Sequence, residues 1–190
     1  MIFIGVMHER ELSRKDLMVV IHRVAEVTGC REFVIGGRSA LVMTCASSAL
    51  LCTQDFDIGI TEEGTMRGIK TFEAELGRGS AFAVEHGFYV EHAGAEMLTF
   101  VLPEGWRTRA VRVEAVGVVA LCLAPVDVAI NKLHAKRPKD LEHLVIMLRE
   151  GIVSESQLRS AIQASPYDFL IEAHLQTLAV VMRMAQDGWQ

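Results

Sequence analysis

The feature that most constrains this chain is a short apolar run, Glu32-Phe-Val-Ile35, which enters the glycine pair Gly36-Gly37 and is answered later by Asp55-Phe-Asp-Ile-Gly-Ile60. The first run has the length and composition of a buried strand. The second begins with polar and apolar residues alternating, the period-2 pattern of a strand with one face in a core and the other at solvent or a site. Asp55 and Asp57 therefore project from one face, while Phe56 anchors the other. Two adjacent carboxylates repel, and a divalent cation is a common way to relieve that repulsion.

Between these runs, Ser39 to Leu51 is small and apolar almost throughout, and its length favours a buried helix. A strand entering a glycine pair and then a helix lets backbone approach a phosphate, with N–H donors and a favourable dipole at the helix start. Gly36, Gly37 and the Ser39 hydroxyl are accordingly the candidate phosphate contacts.

The surrounding pattern is mixed. Ser13 precedes apolar residues at Leu17, Val20, Ile21, Val24 and Val27, a helical spacing that stops at Gly29. Thr61 to Gly64 reads as a turn, Met66 to Leu76 as a helix, and Gly77 to Ser80 as punctuation. Phe88 to Glu91, Glu96 to Leu102 and Arg109 to Leu123 read as strands, the last a hairpin broken near Ala115 to Gly117. Pro103-Glu-Gly-Trp106 is a turn. After Leu123 the signals are helical: Pro125 to His134, Pro138 to Gly151, a capping box at Ser154 to Gln157, and a last helix from Ser165-Pro166 to about Gln186. The expected fold class is α+β, a mixed sheet flanked by helices over residues 1–123, with a C-terminal helical segment over 124–190 packed on it.

Composition narrows the function classes. With 51% apolar residues in 190, the chain has enough material for a core without staples. A net charge of −5 argues against a protein that coats nucleic acid. Cys30, Cys45, Cys52 and Cys122 form no C-x-x-C pair and read as reduced, buried thiols. The apolar opening, Met1 to Met7, is too short for a signal-peptide core, and Ala115 to Val126 is about half a membrane span. The expectation is a cytoplasmic protein with no membrane segment. His8-Glu9 lacks the second histidine of a zinc-protease helix, His134 and His143 flank a predicted helix break, and Trp106 reads as a packed turn aromatic.

The ordered set G-G-x-S, helix, T-x-D-x-D resembles the DNA-polymerase-β-like nucleotidyltransferases. The Arg38 to Gln54 gap is similar to that of AbiEii-type toxin relatives. A second block, Leu123-Ala-Pro-Val-Asp127 through Asn131-Lys132-Leu-His-Ala135 to Arg137-Pro-Lys-Asp140, resembles a signature of small nucleotidyltransferase-like proteins of unknown function, and so does the turn Leu102 to Arg107. The resemblance spans about Phe33 to Leu148. It implies a nucleotidyltransferase-like fold in which Asp55 and Asp57 bind Mg²⁺ and a third carboxylate on a neighbouring strand completes the site. Glu91 is the candidate for that third group, with Glu96 and Glu114 as competitors. Lys132, Arg137 and Lys139 would hold triphosphate charge, with Asp140 orienting one of them. Relatives often carry an arginine just before the T-x-D-x-D strand, where Leu51-Cys52 stands here.

Two functions follow as expectations. The first is an Mg²⁺-dependent nucleotidyltransferase that moves a nucleotidyl group from an NTP to an unknown acceptor (a protein, an RNA or a small molecule). The second is a catalytically weak or inactive nucleotide-binding regulator of a toxin–antitoxin-type system. Either is compatible with a homodimer or a toxin–antitoxin partner.

Overall fold

The computed structural model describes residues 10–60, 66–115 and 117–187. The opening stretch Met1 to Met7, the Thr61 to Gly64 turn and Val116 lie outside these residues.

A two-residue strand β1 (Arg10–Glu11) leads into α1 (Arg14–Thr28). Ser13 caps this helix in a reciprocal box with Asp16, and Gly29 closes it in the left-handed conformation at φ 71°. Strand β2 (Glu32–Ile35) then runs into the glycine pair. Instead of one buried helix over Ser39 to Leu51, the chain makes a five-residue 3₁₀ helix (Ser39–Met43), a break, and a single turn α2 (Ser48–Leu51). The break falls on Thr44 to Ser47, where Ser47 N–H donates to Cys45 Sγ at 3.3 Å. Small polar side chains that bond the local backbone compete with helix hydrogen bonds, which is why an apolar run of this length does not propagate.

Strands β3 (Cys52–Thr53) and β4 (Asp55–Ile60) follow, then α3 (Met66–Leu76), α4 (Ala81–His86) and β5 (Tyr89–His92). The segment expected as a strand from Glu96 to Leu102 contains a helix, α5 (Ala95–Thr99). A Cβ on Gly59 would lie 2.6 Å from Ala95 Cα, so the bare glycine lets the start of this helix sit directly on β4. A short helix α6 (Trp106–Arg109) precedes the hairpin β6 (Val111–Ala115) and β7 (Val118–Cys122). Four helices complete the chain: α7 (Pro125–Ala135), α8 (Pro138–Arg149), α9 (Glu155–Gln163) and α10 (Asp168–Gln186).

The main sheet has five strands in the order β5-β4-β2-β7-β6. Its middle strand β2 is antiparallel to β4 and parallel to β7, and β5 is parallel to β4. This is the mixed sheet that the α+β expectation required. β1 and β3 form a separate antiparallel pair.

Two compact units divide the chain. The sheet unit comprises 1–98 and 111–122, and the helical unit comprises 99–110 and 123–190. Residues 99–110, grouped with the first part from sequence, thus belong with the helices. In the sheet unit, Phe56 and Phe88 meet at 5.3 Å and Phe82 joins Phe88 at 5.5 Å, with Phe72 of α3 against His92 at 5.8 Å. These rings fill one face of the β4–β5 edge and leave the opposite face to Asp55, Asp57, Tyr89 and Glu91. In the helical unit, α8 and α10 each pack against α7, with α9 against α7 and α10. Among the described residues no helix is long and apolar enough to cross a membrane.

Candidate active site

The parallel register of β4 and β5 decides which carboxylates meet. Asp55 lies opposite Tyr89, and Asp57 opposite Glu91. Residues opposite one another share a face, so Glu91 enters the same surface as the two aspartates. Asp55, Asp57 and Glu91 each offer a carboxylate oxygen, and these oxygens all lie within 4.8 Å of one another. The aspartates are half-buried and Glu91 is exposed. The two competing carboxylates are not part of this group. Glu114 is on β6 at the far edge of the sheet, paired with Arg112 at 2.7 Å. Glu96 is exposed on α5.

The glycine pair shapes the site from the side of β2. Gly36 N–H donates to the Asp57 carbonyl at 2.9 Å, which ties the turn to β4. Gly37 has φ +56°, and a Cβ there would stand 1.8 Å from Asp57 Oδ2. No side chain fits at that position without displacing the carboxylate. Ser39 is 1% exposed and its hydroxyl donates to the Gly36 carbonyl at 3.1 Å. That hydroxyl braces the turn from inside. The expected helix dipole is corrected, because a five-residue 3₁₀ helix supplies little of one.

Four residues that the sequence pattern does not single out as site residues have contacts here. Arg38 donates to the Cys52 carbonyl at 2.6 Å and to Thr53 Oγ1 at 2.8 Å. Thr53 in turn donates to Asp55 Oδ1. Tyr89 carries the Arg78 guanidinium over its ring at 5.1 Å. Burial raises the Tyr89 phenol above its ordinary range, the Asp55 and Glu91 charges push the same way, and Arg78 opposes them. Arg78, Tyr89, Glu91, Glu73 and His92 line a recess of about 380 Å³, which Glu91 alone of the three carboxylates borders. Nothing in the spacing of Arg78 marked it, since a lone arginine in a glycine-flanked loop has the look of a solvated charge.

The second block of the sequence forms its own cluster inside the helical unit. Lys132 of α7 is buried, and its Nζ lies 3.1 Å from Asp140 Oδ1 and 3.0 Å from His143 Nδ1. Arg137 donates to both Asp140 oxygens, at 2.6 and 3.3 Å. Asp140 thus holds two cations, not one. Burial alone would raise its pKa, but Arg137 and Lys132 outweigh that and keep the carboxyl below the usual range. Lys139 is exposed and does not join the cluster. Nearby, Asp127 is wholly buried and paired with Arg109 at 2.7 Å.

The family described as "Nucleotidyltransferase of unknown function (DUF6036)" matches residues 15–179. The chain belongs to this family. The matched span contains the glycine turn, the three clustered carboxylates and the Lys132 to Asp140 block, so every candidate residue lies inside the DUF6036 region. Neither curated proteins nor solved structures give a match to the chain. Membership in DUF6036 supports nucleotidyl chemistry for the fold, and the sheet unit carries a carboxylate group of the kind such chemistry uses.

Proposed function

We propose that this protein is a divalent-metal-dependent nucleotidyltransferase that moves a nucleotidyl group from an NTP to an acceptor hydroxyl. The observation that carries the proposal is the convergence of Asp55, Asp57 and Glu91 within 4.8 Å. Family membership supports the same class of chemistry.

The donor set suits a hard cation. All three ligand atoms are carboxylate oxygens, and oxygens on opposite sides of an octahedral Mg²⁺ stand about 4.2 Å apart. The 4.8 Å limit is within a small side-chain rotation of that value. Asp55 and Asp57 would hold the ion. When bound, Mg²⁺ supplies charge neutralisation and Lewis acidity for the phosphoryl oxygens. Glu91, at the exposed side of the group, accepts the proton of the acceptor hydroxyl as that oxygen bonds to the α-phosphorus. The bond from the α-phosphorus to the bridging oxygen breaks, and pyrophosphate leaves with the electron pair. Gly37 leaves room for the Asp57 carboxylate, and Phe56 keeps β4 seated in the core beneath it.

The test is transfer of label from each α-labelled NTP to a cell lysate as acceptor pool, with pyrophosphate release followed in parallel. Wild type is expected to transfer label in Mg²⁺ and to stop with EDTA. Asp55→Asn and Asp57→Asn are expected to lose at least about a hundredfold in rate, the scale on which catalytic electrostatic groups act. Transfer undiminished in both variants refutes the proposal. Metal-dependent NTP binding with no pyrophosphate release would instead favour a regulator that retains the site without turnover.

A further inference from the structure

The two residues that leave the glycine turn each govern one aspartate. Gly37 admits the Asp57 carboxylate by lacking a Cβ. Arg38 reaches the start of the neighbouring strand, donating to the Cys52 carbonyl and to Thr53 Oγ1. A hydroxyl has one proton and two lone pairs, whereas a guanidinium only donates. Thr53 Oγ1 is therefore the acceptor toward Arg38, and its own proton is directed to Asp55 Oδ1. The direction of the chain is fixed: Arg38 to Thr53 to Asp55. Thr53 is 1% exposed, so water does not compete for either bond.

We infer that Arg38, acting through Thr53, is a positioning residue for metal binding at Asp55. The inference rests on the metal-dependent reading above and adds to it the means by which one ligand is held. A hydroxyl polarised by the guanidinium fixes the rotation of the Asp55 carboxylate and leaves Oδ2 directed away from Thr53. Without that bond the carboxylate rotates, and ordering it becomes part of the cost of binding the ion. Electrostatics predicts the opposite sign. Removing a positive charge near a cation site strengthens binding, so the direction of the affinity change decides between orientation and simple charge.

The probe is Mn²⁺ alone, titrated into the full chain and followed by the electron paramagnetic resonance of the free ion. Arg38→Met and Thr53→Val are expected to weaken binding by about 10- to 100-fold, the usual effect of removing a group that orients a ligand. Thr53→Ser keeps the hydroxyl and is expected to stay close to wild type. Circular dichroism melts check folding, and if Arg38→Met fails to fold, the contrast of Thr53→Val with Thr53→Ser carries the test. Unchanged or tighter Mn²⁺ binding in the folded Arg38→Met and Thr53→Val proteins overturns the inference, provided Asp55→Asn and Asp57→Asn abolish binding. Wild-type affinity in both aspartate variants removes the metal site itself, and the positioning role with it.

Discussion

Replacing Gly37 by alanine offers a stringent test of how the turn and the carboxylates fit. Two costs combine at this position. The first is conformational: at φ +56° an L residue is strained by about 1–2 kcal/mol. The second is steric, because the new methyl carbon would sit 1.8 Å from Asp57 Oδ2 and 3.0 Å from its Cγ. Relieving such overlap in a packed region costs about 1–3 kcal/mol. The sum is a loss of about 2–5 kcal/mol. Gly29 provides the control, since it is also left-handed at φ +71° but a methyl carbon added there would meet nothing within 4 Å. Gly29→Ala should therefore lose only the conformational part. Urea unfolding of both variants measures the difference directly. A cycle with Asp57→Ala isolates the crowding, because Gly37→Ala in that background should fall to about the Gly29→Ala cost. Equal losses for the two glycine variants, or a Gly37→Ala loss unaltered by Asp57→Ala, would refute the argument that this glycine exists to seat the carboxylate.

Three further outcomes follow from the helical unit. Arg109→Met strands the wholly buried Asp127 without its guanidinium and also removes donors from the Pro103 and Glu104 carbonyls. A loss of about 3 kcal/mol is expected by urea unfolding, the low end for a broken buried pair because Arg109 keeps a third of its side chain exposed; a loss below about 1 kcal/mol would contradict this. His174, 1% exposed beside His134, has its pKa pushed down to about 4, by burial first and then by the His134 and Lys136 charges. Between pH 6.5 and about 4 the unfolded chain binds a proton there that the folded chain does not, so stability should fall as pH drops through this window. His174→Phe should flatten that part of the profile, and an unchanged slope would contradict the assignment. The Asp140 carboxyl, held below its ordinary range, contributes stability that is lost only at lower pH, below about 4.

Local signals were strong wherever a residue type has one physical use. Ser13 and the Ser154–Gln157 box marked helix starts, and in the fold Ser13 with Asp16 and Ser154 with Gln157 each satisfy two backbone donors. The alternation in Asp55 to Ile58 put both aspartates on one face, and the position of Glu91 on the next strand made it a candidate. What spacing could not supply was register, which alone sets Glu91 opposite Asp57. The failures have the same character. Ser39 to Leu51 has helical composition, but Thr44, Cys45 and Ser47 divide it. Glu96 to Leu102 has strand-like residues, yet Leu98, Val101 and Leu102 also fit helical spacing, and the open face of Gly59 settles the segment that begins at Ala95. Of the four thiols expected to be buried, Cys30 and Cys122 are, whereas Cys45 and Cys52 are only half-buried. The arginine expected before the T-x-D-x-D strand is absent at Leu51 and Cys52, and a guanidinium reaches Thr53 from Arg38 instead. Sequence order hid that contact because its two ends lie fifteen positions apart.

These contacts give the glycine pair a structural task beside the one expected of it. On sequence grounds it prepared a helix N-terminus for a phosphate. In the fold the following helix is short, Ser39 is turned inward, and Gly37 and Arg38 face the two aspartates through van der Waals space and a hydroxyl relay. A turn with that arrangement is suited to fixing ligand geometry, where errors of a few tenths of an ångström matter. On the reading proposed above, a nucleotide would be recognised by groups that border open space beside Glu91. Within the sheet unit the recess lined by Arg78, Tyr89 and Glu91 has this property, and it joins a cation, an aromatic face and the outermost carboxylate in one surface. The division of labour is physical. On that reading the half-buried Asp55 and Asp57 would set where a metal sits, while the exposed Glu91 and Arg78 would set what can be brought to it.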